Sequence, residues 1–446
     1  VIIRNNSTLI GEGGGIYIWQ DVENLLLENV TITNNRAFKG GGISTSGGPI
    51  EVSDITFSES EKCNIYENYA LIGTDVWLEN ENHSLNIVLD TFTVATPTDY
   101  YAYPLSQMTF DIENHSVDPI VGDIYVDPTG SNDNSGTSSG SPYKTISYAM
   151  LSAFANSSNP GTIHLADGVY SPSTNGEYFP LGGKQYVSIV GTSQEGTILD
   201  GDSLTSIFHF EDVEDVTISD LTITNGIANR GGLYNDGGGI FMYNSSPTIS
   251  NIIIKDNTAV DGGGGMCIHT SPNPTISNVI IKGNTSSDGG GMIVVNSSPH
   301  LSNLVISGNQ ALNRGGGIHF SDSNLSMINV TITGNISEPG KAAGISFYNS
   351  SNIKVINSII WNNSSEEIEI LYAEITIENS NVYGGQSLIT NDNGTLNWLD
   401  GNIDVDPLFA DTANGDYSLQ NESLCIGAGV DSIEIGGTWY YAPDTD

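Results

Sequence analysis

A short glycine string returns along this chain at an almost constant interval. Its closing apolar residue falls at Ile240, Met266, Met292, Ile318 and Ile345, in steps of 26, 26, 26 and 27, and the same string ends 27 apart at Ile16 and Ile43. Asparagines keep the same phase at Asn257, Asn284, Asn309, Asn335 and Asn363, with Asn35 earlier. Two markers in one phase restrict the chain to a repeat architecture, because so short a unit cannot bury an apolar face alone and must stack on its neighbours. After each glycine string comes a period-two alternation, as in Ile240 and Met242, Met266 and Ile268, Met292 and Val294, Ile318 and Phe320, or Ile345 and Phe347. A second alternation follows in each coil, with Ile252 and Ile254, Val279 and Ile281, Leu304 and Ile306, and Val330 and Ile332. Period two places each pair on one face of a strand. The expected fold is all-β, a right-handed parallel β-helix with coils of about 26 residues. Roughly ten such coils would extend on the order of 50 Å at the strand spacing of ~4.8 Å.

The recurrent small residues suit the corners of such a coil. Glycine enters positive φ without a Cβ clash, and asparagine tolerates the left-handed region. Stacked asparagine amides can also bond to one another along the axis. Asn257, Asn284, Asn309, Asn335 and Asn363 are therefore read as a structural ladder.

The period breaks between residues 96 and 122, a stretch with prolines, aromatics and no glycine marker. Four segments are expected: residues 1–95 as the C-terminal part of a first β-helix, 96–122 as a linker or end cap, 123–390 as a second β-helix, and 391–446 as a truncated closing segment. A short capping helix is expected near 142–155. Ser141 suits its N-cap, Pro142 its first turn, and Ile146, Ala149, Met150, Ala153 and Phe154 make one apolar stripe. Such a helix would cover the open end of the apolar column of the second β-helix. The chain opens at Val1 in what reads as mid-coil, so it is expected to be part of a larger polypeptide.

Charge narrows the partners. Twelve Lys and Arg against 52 Asp and Glu give a net charge of −40, which repels nucleic acid and anionic membranes. No apolar run reaches the 18 residues of a spanning helix, so no membrane insertion is expected in this segment. Cys63, Cys267 and Cys425 are far apart and odd in number, which argues against a disulfide framework or a zinc site. No cofactor and no metal site are expected. The carboxylate surplus and the loop Asp127 to Gly136 leave room for weak calcium binding through oxygen.

The run from Ile124 to Tyr170, with Gly130, Asp133, Gly136, Pro142, Lys144, Thr145, Ile146 and Ala149, resembles the opening of pectin-lyase-like right-handed β-helix domains. The rhythm of Asn35–Ile43 and Asn309–Ile318 resembles bacterial surface β-helix proteins, including the chlamydial polymorphic outer membrane proteins. The tail from Asp404 to Gly429 is similar to the closing segment of large secreted β-helix proteins of environmental bacteria. These resemblances imply a secreted, extracellular or cell-surface protein. They span lyases, hydrolases and adhesins, so activity must be argued from residues.

Lyases of the resembled group use a Lys or Arg base beside calcium-holding carboxylates. Lys255 and Lys282 occupy equivalent coil positions without a carboxylate cluster beside them, and read as solvated strand ends. Hydrolases of the polygalacturonase kind show adjacent Asp–Asp, Gly-His-Gly and Arg-Ile-Lys runs, none of which occurs. Asp200 and Asp202 flank a glycine and read as turn chemistry. His269 and His319 stand at different offsets from the glycine marker, so they should not align as metal ligands.

The outward positions of the glycine-led strands are unusual. One row reads Phe241, Cys267, Ile293, His319 and Ser346, and the next Tyr243, His269, Val295, Ser321 and Tyr348. Apolar and aromatic residues on an outer face mark either a contact surface or a place covered by a loop such as 226–236. Tyr17, Trp19, Phe241, Tyr243 and Tyr348 are the candidate ligand-binding residues, and no catalytic residue is assigned. The expected function is a non-catalytic extracellular or cell-surface structural or adhesive protein that meets a glycan or a surface protein. The alternatives are a polysaccharide-processing lyase or glycoside hydrolase, and a non-catalytic glycan-binding module.

Overall fold

The computed structural model describes the chain apart from residues 9–10, 20–21, 23, 47–54, 80–83, 230–234, 436–437 and 442–446. The chain is a right-handed parallel β-helix of about 14 turns, and one α-helix occurs among the described residues. It divides into two compact units: residues 1–164 with 174–188, and residues 165–173 with 189–446.

In the second unit each coil has three arms. The glycine-led strand comes first, as in Ile240–Tyr243, Met266–His269, Met292–Val295 and Ile318–Ser321, and these pair in parallel with unbroken register. The next strand has eight residues, as in Thr248–Lys255, Thr275–Lys282, His300–Ser307 and Ser326–Thr333. A residue in the left-handed region bends each into two arms: Asn251, Asn278, Asn303 and Asn329, with φ of 54, 55, 54 and 57°. The bend breaks strict alternation, so Ile249 and Ile252, three apart, both face inward with 0 % exposure. All of the inward pairs expected from the sequence are buried.

The glycine string turns each coil into the next. Gly263 has φ +64°, and a Cβ on Gly264 would stand 2.5 Å from the carbonyl oxygens of Gly290 and Thr285 on the adjoining coil. The first glycine is thus required by backbone conformation and the second by close approach.

Two side-chain ladders run along the second unit. Asn257, Asn284, Asn309 and Asn335 each donate backbone N–H and Nδ2–H to Oδ1 of the next asparagine, at 2.9–3.0 Å, and the row ends on Asn363. The other Nδ2 hydrogen of Asn284, Asn309 and Asn335 goes to a backbone carbonyl of the preceding coil, Ile254, Ile281 and Ile306 respectively. A serine ladder occupies another corner. The N–H groups of Ser245, Ser271, Ser297 and Ser323 donate to Oγ of Ser271, Ser297, Ser323 and Ser350. Each of these hydroxyls also donates to the carbonyl two residues before it, as Ser297 does to Val295 at 2.7 Å.

The first unit is built alike. Ile16–Trp19, Ile43–Ser46, Val76–Leu78 and Ala102–Tyr103 pair in parallel, as do Cys63–Tyr66, Leu85–Phe92 and Met108–His115. Residues 96–122, expected as a linker or end cap, therefore carry a further coil. Pairing there comes from backbone groups, including Thr74 N–H to Tyr100 and Asp75 N–H to Tyr101, in place of the glycine marker that the sequence reading looked for.

The helix is shorter than expected, Ile146–Ser152, and Thr145 is its N-cap. Tyr143 exchanges backbone bonds with Tyr125 and Asp127, which holds Ser141 and Pro142 outside the helix. Ile146, Ala149, Met150 and Ala153 are buried, but Phe154 is 41 % exposed. Glu177 accepts the first helical N–H groups, from Ile146 at 2.7 Å and Ser147 at 2.9 Å. Lys184 donates to the carbonyls of Met150 and Ala153 at the other end. Leu151 belongs to the apolar cluster of the first unit, with Ile65, Ile87, Leu89 and Phe92.

Candidate functional site

The outer side of the glycine-led strands in the second unit brings the most varied chemistry together. Parallel register makes columns of side chains. One column reads His209, Phe241, Cys267, Ile293, His319, Ser346 and Glu369. The next reads Glu211, Tyr243, His269, Val295, Ser321, Tyr348 and Leu371. Loop residues just ahead of the glycines, Asp236, Asp288 and Arg314, flank the first column.

The two columns differ in access. Phe241 is 3 % exposed and stacks on His209 with ring centroids 4.8 Å apart. Cys267 and Ser346 are also buried. Phe241 is thus packed into the floor of the face. The loop 226–236, the alternative cover for this face, lies partly outside the described residues. Tyr243 and His269 stack at 5.5 Å in the second column and are half-buried, and Tyr348 is 42 % exposed beside Tyr372 at 6.4 Å.

Electrostatics set the flank apart. Burial, with Asp261 and Asp288 nearby, pushes the Asp236 carboxyl up to about 7. Burial raises Asp288 too, opposed by hydrogen bonding and by the charge of Arg314. Arg314 Nη1 lies 3.8 Å from Glu369 Oε2, which also accepts from Ser346 Oγ at 3.0 Å. Burial, then the charge of Arg314, lowers the His319 imidazole to about 4. Burial raises the Cys267 thiol well above its ordinary range, which leaves it protonated and a poor nucleophile.

Other candidates fall elsewhere. Tyr17 and Trp19 lie in the first unit, 44 and 52 % exposed, with ring centroids 5.9 Å apart. Lys255 and Lys282 are direct register partners. His269 and His319 stand in different columns. Asp200 and Asp202 serve a turn, with Asp202 N–H donating to Asp200 Oδ1 at 2.9 Å. In the loop 127–136, Asp127 accepts from Thr129 N–H and Oγ1–H. Among the described residues no three His, Cys, Asp or Glu side chains converge as a metal ion would require. Nor is any described helix long and apolar enough to cross a membrane.

The sequence reading missed the polar cluster of Asp288, Arg314, His319 and Glu369, and also two buried carboxylates that end the asparagine ladders. Asp75 Oδ1 accepts both N–H and Nδ2–H of Asn68, and Glu367 accepts both from Asn363. A signal for the carboxylates was present. Ile43 pairs with Val76 and Ile345 with Ile368, so Asp75 and Glu367 stand at the position of the third glycine, Gly42 and Gly344. The following coil has no asparagine at the ladder position; by the same register it has Ala95 and Gly385. The carboxylate supplies the acceptor that the absent amide would have offered.

Residues 196–382 match the family model for the right-handed β-helix region. No curated protein matches the sequence. Among solved structures the chain is similar to the pectate lyase Pel9A, at 15 % identity and TM-score 0.44, covering 72 % of this chain and 94 % of that one. It is also similar to a rhamnogalacturonan lyase, at 12 % identity and TM-score 0.29, covering 67 and 95 %. A third is the pectin methylesterase PemA from Erwinia chrysanthemi, at 12 % identity and TM-score 0.28, covering 61 and 81 %.

Proposed function

We propose that the protein is a non-catalytic, extracellular or cell-surface scaffold of adhesive type, with the outer face of the glycine-led strands of the second unit as its contact surface. The observation that carries this reading is the column from Tyr243 through His269 to Tyr348. It keeps rings partly exposed at fixed spacing on a backbone pinned by two ladders. A rigid face loses little conformational entropy on binding, and aromatic rings present broad contact area with few torsions. The buried carboxylates Asp75, Glu177 and Glu367 accept hydrogen bonds at ladder and helix ends, which accounts for them without catalysis. The partner is a glycan or a surface protein, and the −40 charge disfavours nucleic acid. Secretion suits so acidic a chain.

A polysaccharide-processing enzyme is the second reading. It is favoured by Arg314 beside Glu369 on the same face.

Glycan-array and cell-binding assays on the full chain test the first reading, with a Tyr243→Ala/Tyr348→Ala double variant as control. Binding that the double variant loses is expected. Failure to bind any glycan or cell surface sinks it, and release of reducing or unsaturated ends from a polysaccharide establishes the second.

A further inference from the structure

His319, Ser346 and Glu369 are consecutive register partners, and Tyr348 stands two residues beyond Ser346 on the same strand. Arg314 reaches from the flank toward Glu369 and also interacts with the charge of Asp288, whose Oδ1 accepts from Asn313 Nδ2 at 2.8 Å. One polar atom is left over. Nδ1 of His319 is buried and has no hydrogen-bond partner among the described residues. Burial holds the imidazole neutral; it makes a hydrogen bond with the Ser346 backbone, and Nδ1 is the ring atom left to a ligand.

We propose that His319, Arg314, Glu369 and Tyr348 form a subsite for one uncharged pyranose ring of a neutral glycan. The inference deepens the contact-surface reading above and rests on it. A sugar hydroxyl is both donor and acceptor, so adjacent hydroxyls can give to His319 or Glu369 and take from Arg314. Tyr348 supplies an exposed ring against which the apolar face of a pyranose packs. The charge of Arg314 is already met by Glu369 and Asp288. A carboxylated or sulfated ring would therefore find no uncompensated cation and would enter the field of a −40 molecule.

Calorimetric titration of the full chain with cellobiose, xylobiose, mannobiose and galactobiose tests the proposal, with digalacturonate as the acidic counterpart. A disaccharide near His319 cannot reach Tyr243, three coils and ~14 Å away. Binding of at least one neutral disaccharide and not of digalacturonate is expected. Arg314→Gln, His319→Phe and Tyr348→Ala should each weaken it about tenfold, and Leu424→Ala, an exposed change in the closing segment, should leave it unchanged. Tyr348 is exposed, so its variant tests the site even if the others fail to fold. Preference for digalacturonate overturns the subsite. So does neutral binding that responds to Tyr243→Ala and not to Tyr348→Ala, which leaves the contact face standing. If no disaccharide binds while cell or long-glycan binding persists, the subsite alone falls. Loss of both sinks the two readings together.

Discussion

Asp75 shows how one side chain can end a repeat. The last asparagine of the first ladder has two donors pointing along the axis, and a buried donor without an acceptor costs about 1–3 kcal/mol. The Asp75 carboxyl takes both, and burial raises it to about 7. A carboxyl raised above its unfolded value stabilises the fold most fully below about pH 4. That contribution is lost as pH climbs toward 7, because the unfolded chain releases its proton first. Asp75→Asn keeps an acceptor and removes the charge. It should stabilise the protein by on the order of 2 kcal/mol at pH 8 and leave it little changed at pH 4. Urea denaturation at both pH values would reveal this, and an equal effect at both would refute the assignment. Inside a ladder the reverse holds. Asn309→Ala deprives Asn284 of its acceptor and leaves two buried donors, so a loss of about 3–5 kcal/mol is expected in the same assay.

Among elements, the eight-residue strands depend on a left-handed residue at their fourth position. Asn303 has φ 54°, and its Nδ2 donates to Asn278 Oδ1 at 3.2 Å. A side chain with no polar group pays about 1–2 kcal/mol for that conformation. Asn303→Ala should therefore lower stability by roughly that amount, and Asn303→Gly by much less. Similar losses from both would mean that the side-chain bond, not the backbone bend, is what Asn303 provides. The serine ladder gives a second element-level expectation. Ser297→Ala removes the acceptor of Ser271 N–H and should cost about 1–2 kcal/mol. Thermal unfolding of Ser297→Ala beside Ser298→Ala, a change at the following turn residue, separates the ladder from a general effect of the turn. Both elements were half legible. The Asn-Ser pairs at 244–245, 296–297 and 349–350 were visible as text, but nothing in one coil reveals that its serine hydroxyl accepts from the coil before it.

Across the whole molecule the excess of like charge is self-repelling. Fifty-two carboxylates face 12 basic side chains, and described ion pairs such as Lys62–Glu113 at 2.9 Å engage only a few of them. Salt screens surface charge over about 8 Å at 0.15 M. Raising sodium chloride from about 10 to 150 mM should therefore raise Tm by roughly 2–5 °C, measured by scanning calorimetry. A Tm that falls would show that specific pairs outweigh the net repulsion. The repeat period, the inward apolar pairs and the asparagine ladder could be read from text, because each coil meets the same environment and so repeats the same residue types at the same step. Other features depend on what lies one or more coils away. The bend at Asn303, the helix starting at Ile146, the further coil within 96–122, the burial of Phe241, and the meeting of Arg314 with Glu369 were set by stacking. A linear pattern records which side a residue faces, but neighbours across coils are fixed only when register brings distant residues within bonding distance.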